Sequence, residues 1–476
     1  MQLYNSLSRG KEEFRALSPP HVGVYVCGPT VYGHSHLGHG KTYVSFDVLI
    51  RYLRHLGYDV RYIQNITDVG HLTDDADAGE DKIERQARLE KLEPMQIAEK
   101  YTRSYFEDMD ALGVLRPDVS PRASGHVPEQ IELVKTLIEK GHAYEVDGFV
   151  YYSVESFPEY GKLSGRRVED LIAGARVAVD EGKRDPRDFA LWKKAGEEHI
   201  MKWNSPWGWG YPGWHLECSA MSMRYIGDTL DIHGGGLENI FPHHESEIAQ
   251  SEGATGRQFA RFWLHNNMLT VDGQKMGKSL GNWKLLKEVF QRFHPMVVRL
   301  YILRSHYRSQ LDFTDEGLES AGSGFRRLAA FRARLGEGKG GEGSPSPAAT
   351  RLIEDAGNAF FQSMDDDLNT PGALAALFEM VRAGNSMLDE DDRQADRAAL
   401  AGAMDLLAGE ILGLDLSGYS TSSETAGGLC EILAETRGVL RENRLFDAAD
   451  RMRDRLEEIG YAARDLPGGK SEITRR

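Results

Sequence analysis

The residues best suited to chemistry fall into four groups. The first is Cys27 to Lys41, CGPTVYGHSHLGHGK, where a thiol precedes two histidines, His36 and His39, on a glycine-rich turn. Three residues apart, the two imidazoles share one face of a helix starting there. Gly38 and Gly40 let a ligand approach the backbone. The helix N-terminus adds unpaired N–H groups and the positive end of the dipole, a seat for nucleotide phosphates. The competing reading of HLGH alone is a pair of exposed loop histidines. The second group is KMGKS, residues 275–279, behind the turn signal Asp272-Gly273. Lys275 and Lys278, with Ser279 after them, suit a loop that closes over a polyphosphate and stabilises charge on the departing pyrophosphate. A bare lysine pair is otherwise a solvated face.

The third group is Cys27, Cys218, His243 and Glu247. His243 and Glu247 are one helical turn apart behind Pro242, a first-turn proline, so an imidazole and a carboxylate share a face. Two thiolates, an imidazole and a carboxylate are all zinc ligands. The spacing is not that of a compact finger, and from spacing alone two buried cysteines and a core histidine are the simpler reading. His233 and His244 are alternative nitrogen donors; His244 is expected about 100° round the helix from His243. The fourth group is Asp231-Ile232-His233-Gly234-Gly235-Gly236, where Gly234 and Gly235 would let a base or ribose lie on bare backbone, or else form a flexible turn.

These groups need elements to carry them. Residues 22–26 read as a buried strand, followed by a helix from about Gly40 to His55 and a second strand at 58–66. Strand, helix, strand implies a parallel sheet. Residues 73–81 are acidic without EF-hand spacing and read as a solvated loop. A helical stretch follows from Lys82 to Leu112. Residues 122–202 change character, with a helix at 129–140 and a hairpin at 149–154. Within 162–202 ten Lys/Arg stand against eight Asp/Glu, slightly basic in an acidic chain, which suggests an insertion. A helix at 296–306 follows the lysine motif. GEGKGGEGSPSP at 336–347 reads as a linker. The chain is helical from about 348, and the tail GGKSEITRR is expected to be disordered.

Composition sets the outer bounds. A chain of 476 residues is too long for one core. Its 41% hydrophobic and 27% charged content fits a soluble globular protein. No run is apolar enough to span a bilayer, and the first residues lack a secretory h-region. Three cysteines are too few for a disulfide framework and fit a reducing cytoplasm. A net charge of −16 argues against whole-surface nucleic-acid binding while leaving room for local basic grooves. For Cys430 a buried packing role in a helix is expected.

Taken together, HLGH followed far downstream by KMGKS resembles a class I aminoacyl-tRNA synthetase. CGPTVYGHSHLGH, YIQNITD, GWHLECSAM, DIHGGGLENIFPHHESEIAQ and VDGQKMGKSLGN narrow the resemblance to the cysteinyl-tRNA synthetase family. It is dense over about 20–310; beyond that, MDDDLNTPGALAAL at 364–377 resembles the family's helical domain. Lys41 stands where that family usually has arginine, Gly277 where serine is commonest, and Glu238 where aspartate is frequent, while 73–81 enlarges a shorter loop.

The resemblance implies a zinc ion on Cys27, Cys218, His243 and Glu247 at the floor of a cysteine pocket walled by Trp214. It implies ATP with magnesium on His36, Gly38, His39, Gly234, Gly235, Lys275, Lys278 and Ser279. The partners would be tRNA-Cys, L-cysteine and ATP, for a monomeric cytoplasmic enzyme without a membrane. The expected architecture is α/β: a Rossmann-like catalytic domain at 1–121 and 203–254, an inserted acceptor-end domain at 122–202, and a KMGKS-bearing region at 255–320. An all-α part would follow, with a helical bundle at 321–425 and a small anticodon-binding region at 426–476. A related ligase that transfers activated cysteine to an amino sugar is the runner-up. A silent RNA-binding relative and a zinc hydrolase are further alternatives.

Overall fold

The computed structural model describes all residues except 73–79, 167–181, 278–279, 337–342, 418–420, 459–460, 466–470 and 476. Residues 73–79 of the expected acidic loop and 337–342 of the expected linker lie outside the described residues, and Asp81, at the loop's end, is buried rather than solvated. A hairpin, β1 (Gln2–Asn5) and β2 (Gly10–Glu13), precedes β3 (His21–Val26). The valines and tyrosine of β3 are buried, as their β-branched and aromatic character favours. Helix α1 (Leu37–His55) starts three residues earlier than Gly40, because His36 itself caps it. Strand β4 (Asp59–Gln64) then runs parallel to β3 in a register pairing Val24 with Tyr62. The single helix expected over 82–112 is two, α2 (Lys82–Glu90) and α3 (Pro94–Ala111). Lys91, in the left-handed region at φ 57°, ends the first, and Pro94 opens the second.

The inserted region carries α4 (Val127–Glu139) and five strands: β5 (Ala143–Val146), β6 (Phe149–Tyr152), β7 (Phe189–Lys194), β8 (Trp203–Ser205) and β9 (Gly208–Pro212). They form one antiparallel sheet in the order β5-β6-β7-β9-β8. The aromatic, glycine-rich run after 202 therefore completes the inserted sheet as far as Pro212 before the chain returns to the first sheet. That return is α5 (Trp214–Tyr225), β10 (Leu230–Gly236), α6 (His243–Thr255) and β11 (Ala260–Asn266). Strands β11-β10-β3-β4 make a four-stranded parallel sheet.

The run FARFWLHNNMLTV at 259–271 does not form one strand: β11 ends at Asn266, and β12 (Leu269–Val271) starts a separate small sheet. It pairs with β13 (Gln274–Lys275) and, after helices α7 (Leu286–Val289) and α8 (Pro295–Leu303), with β14 (Leu311–Phe313). Helices α9 (Asp315–Leu335), α10 (Pro347–Asp365), α11 (Thr370–Glu390) and α12 (Gln394–Met404) follow, and a π-helical turn spans Asp405–Ile411.

The chain divides into two compact units, Met1–Asp415 and Leu416–Arg476. The second holds α13 (Thr421–Glu442), α14 (Phe446–Glu458) and an antiparallel pair, β15 (Tyr461–Asp465) and β16 (Ser471–Arg475). The expectation of a disordered tail is thus corrected: Ser471–Arg475 is a paired strand, and Ile473 is buried. Cys430 is half-buried on α13 rather than buried. Among the described residues no helix is long and apolar enough to cross a membrane.

One buried ionic knot fastens α1. Asp47 and Arg299, of α8, are both fully buried and paired. Arg51 joins them at 2.7 Å, and the Leu115 amide donates to the other Asp47 oxygen at 2.8 Å. Arg299 also donates to the carbonyls of Leu112 and Leu412. Removing one partner leaves an uncompensated buried charge. Asp47→Ala should therefore lower stability by about 3–5 kcal/mol, measured by urea unfolding; a loss below about 1 kcal/mol, the scale of a surface pair, would refute the assignment.

Candidate metal centre and nucleotide cavity

Chain direction fixes where a site can form. The crossover after β3 leads to β4 on one side, and the crossover after β10 leads to β11 on the other. The carboxyl ends of β3 and β10 therefore flank the switch point, where open α/β sheets place ligands. Cys27 lies immediately after β3, and its amide donates to the Gly234 carbonyl at 2.9 Å. Gly28 must be glycine, since a Cβ there would come within 1.5 Å of the Asn65 carbonyl oxygen.

Cys218 comes from α5, and His243 and Glu247 from the first turns of α6. One ligand atom from each of Cys27, Cys218, His243 and Glu247 lies within 4.8 Å of the others, and all four residues are buried. The two sulfurs are 3.9 Å apart, and His243 Nε2 is 3.1 Å from Glu247 Oε1. A tetrahedral ion with bonds of about 2.0–2.3 Å sets its donors roughly 3.3–3.8 Å apart, so this set fits with small adjustment. Burial pushes the Cys27 thiol up to about 11, raises that of Cys218, and pulls His243 down to about 3. Both thiols are thus held protonated and the His243 ring uncharged, so a cation must displace the thiol protons to bind.

A second set shares two members: Cys27, Glu247, His233 and His244. The expected offset of His244 from His243 does not carry it out of reach of the cysteine. Its Nε2 is 3.2 Å from Cys27 Sγ, because Cys27 lies across the crevice rather than along the helix. His244 Nδ1 reaches His265 Nε2 at 2.8 Å, and His233 Nε2 reaches the other Glu247 oxygen at 2.7 Å. His233 therefore tethers Glu247 of the cage from behind, and His265 tethers the adjoining His244. His243 Nδ1 is similarly 2.9 Å from His215 Nδ1. Trp214 stacks on His243 at 4.5 Å and on His71 at 4.0 Å, so it walls the group on the side of His71.

Beyond His71 opens a cavity of about 380 Å³ whose lining includes Thr30, His36, His39, His71, Lys82 and Trp283. His36 and His39 stack at 3.8 Å. The Gly38 amide donates to His36 Nδ1 at 3.0 Å, and the His36 amide to His39 Nδ1 at 3.4 Å. The Leu37 and Gly40 amides are taken by the carbonyls of Lys284 and His36. The helix start is thus largely capped by its own chain, unlike the open amide seat expected. Because each Nδ1 accepts, each ring carries its proton on Nε2, leaving two neutral N–H donors. Burial pulls His39 down to about 4, so it enters that role uncharged. His71, which accompanies Thr30 at 2.6 Å and Lys82 at 2.7 Å, carries no motif and escaped the sequence reading.

Gly234, Gly235 and Gly236 are buried, and the space a side chain would take at each is filled by Phe46, by Asn239 and His244, and by Glu238. Packing accounts for all three glycines without a ligand. Lys275 is exposed on β13, while Lys278 and Ser279 lie outside the described residues.

Residues 13–323 match the family described as tRNA synthetases class I (C) catalytic domain, and residues 359–417 match the DALR domain. The molecule is a class I tRNA synthetase in fold. It resembles a Mycobacterium tuberculosis methionyl-tRNA synthetase solved with methionyl-adenylate, at TM-score 0.61 and 16% identity over 87% of this chain and 94% of that one. Nearer in sequence are the cysteine–tRNA ligases of Chlorobaculum tepidum, 54% identical over 98% of both chains, and Thermus thermophilus, 51% identical over 98% of both. The chain belongs to the cysteine–tRNA ligase family.

Because the folded protein refuses a proton at His39 until about pH 4, while the unfolded chain accepts one near the ordinary value of about 6.5, stability is complete above that value. It falls as the pH drops from there toward 4. The urea midpoint should decline from pH 7 to 5, and less steeply in His39→Gln; identical slopes would contradict the neutral, buried histidine.

Proposed function

We propose that this chain joins L-cysteine to the 3′ end of tRNA-Cys in two ATP-dependent steps. The observation that carries the reading is the cage of Cys27, Cys218, His243 and Glu247 at the switch-point crevice, across Trp214 and His71 from the histidine-lined cavity. A substrate with its thiol at the cage would point its carboxylate toward phosphates held near His36 and His39. Attack of that carboxylate on the α-phosphate expels pyrophosphate and leaves cysteinyl-adenylate. A terminal ribose hydroxyl of the tRNA then takes the acyl group and AMP leaves. Neither step needs a protein nucleophile, so positioning and charge stabilisation carry the rate.

The Nε2–H groups of His36 and His39 donate to phosphate oxygens. Lys275 and Lys278, with Ser279, neutralise the charge that builds on the departing pyrophosphate, and magnesium accompanies ATP. Gly38, Gly234 and Gly235 keep the nucleotide's surroundings compact, and Trp214 lines the amino-acid pocket. A zinc ion on Cys27, Cys218, His243 and Glu247 would supply a borderline-soft Lewis acid, for which a thiolate is a better ligand than a serine hydroxyl. Apolar packing alone separates such near-isosteres only modestly.

The domain reading is a catalytic core at 1–121 and 203–254, an acceptor-end insertion at 122–202, a KMGKS region at 255–320, a helical bundle at 321–425 and an anticodon-binding part from 426, adjusted at two places: β8 and β9 go with the insertion, and β11 with the core. A monomer in the cytoplasm is the expected working form. The DALR match at 359–417 supports tRNA over an amino sugar as acceptor, since a small acceptor needs no second domain.

Metal analysis of the purified protein should find one zinc per chain. Chelator-stripped protein should lose its preference for cysteine over serine, and stripped protein that kept it would refute the metal reading. Lys278→Ala should bind cysteine normally but lose roughly 10²–10³ in cysteine-dependent ATP–pyrophosphate exchange; an unchanged rate would remove that lysine from the mechanism.

A further inference from the structure

Lys41 stands on the first turns of α1, two residues past His39, and is 1% exposed. A buried ammonium is costly unless all its hydrogens find acceptors. Lys41 uses its three donors on three main-chain carbonyls: Asn267, Tyr307 at 3.3 Å and Ser309 at 2.9 Å. No carboxylate is among these partners, so this is not an ion pair fastening one surface to another. It is a clamp on the course of the backbone.

The clamped carbonyls occupy a particular place. Asn267 lies between β11 and β12, two residues before β12 begins. Tyr307 and Ser309 lie just before β14, which pairs with β12. These are the roots of the small sheet whose outer strand, β13, carries Lys275. Asn267 ties the two roots together, its amide donating to the Tyr307 carbonyl and its side chain to that of Arg308, both at 2.9 Å.

The far end of the same segment is also fixed to α1. The Leu37 amide donates to Lys284, the Leu286 amide donates to Ser35, and His36 bridges antiparallel with Leu285. The segment bearing KMGKS thus leaves from one anchor on the HLGH helix and returns to a second.

The geometry points to Lys41 as a positioning residue that holds the β12–β13 hairpin, which carries Lys275, in register with the HLGH histidines. This rests on the reading of those motifs as two halves of one phosphate site. The return anchor is made of backbone pairing and tolerates many side chains. The departure anchor depends on a single ammonium, so the register is set there. An arginine, which also donates but is longer and planar, would preserve the charge and part of the geometry.

The test is a double-mutant cycle on ATP–pyrophosphate exchange, combining Lys41→Met or Lys41→Gln with Lys275→Ala. Lys41→Met should lower kcat by roughly ten- to a hundredfold, the scale of a small misplacement of reacting groups, with metal content and cysteine affinity unchanged. Lys41→Arg should restore most of the rate. Once Lys41 is replaced, Lys275→Ala should cost far less than in the native protein, because the lysine is already misplaced. Full additivity, or loss of metal and cysteine binding alongside the rate, would overturn the inference. Should Lys41→Met fail to fold, the Gln and Arg variants complete the cycle. If Lys275→Ala alone leaves exchange unchanged, it is the two-motif phosphate reading that fails, and that result is distinct from additivity.

Discussion

The arrangement depends on one juxtaposition: β3 and β10 run parallel as neighbours, and the hydrogen bond from the Cys27 amide to Gly234 continues their pairing past the end of β3. Everything that acts is measured from that seam. The crossover helix after β3 starts with the two histidines, and the helix after β10 starts with His243. Had another strand separated the two, the sulfur of Cys27 and the carboxylate of Glu247 would be held about 5 Å further apart, the spacing between neighbouring strands.

Around the seam, polar groups are used in tiers. The cage residues face one another, and further histidines hold two of them from outside, His215 on His243 and His233 on Glu247, while His265 holds the adjoining His244. Imidazole suits this role because each ring has two nitrogens, so one can meet a neighbour while the other finds support. The cost is a dense, desolvated cluster in which the thiols are held protonated and the rings of His243, His244 and His265 neutral. The ionic knot around Asp47 sits on the same helix as the capping histidines. The start of α1 is thus set by packing and charge along its length as well as by its cap.

Much of this was legible in the residues. The β-branched run of β3, the periodicity of α1 and the one-turn spacing of His243 and Glu247 each translate directly into geometry. The cysteines did not: Cys27 and Cys218 stand 191 residues apart, and only the resemblance joined them. The nearness of His244 to Cys27 was not legible, because helical spacing describes directions on one helix and says nothing of what lies across the crevice. The strands β8 and β9 were hidden in a run of tryptophan and glycine without alternation, whose pairing is decided by β7. His71 belongs to no motif, and its place against Trp214 follows from two distant loops meeting. The paired tail was missed since its glycines and charges suggest disorder when the opposing strand is not in view.

Gly234 lies at the seam with its absent side chain aimed at Phe46 of α1, where a Cβ would come within 2.2 Å of the ring. The strand that leads toward α6 and the helix that begins with His36 and His39 are therefore in bare contact at this point. A single methyl group added here would act as a wedge between the two halves of the catalytic crevice. It would pry the histidines from the cage without touching either, so a damaging lesion need not fall on any group that performs chemistry.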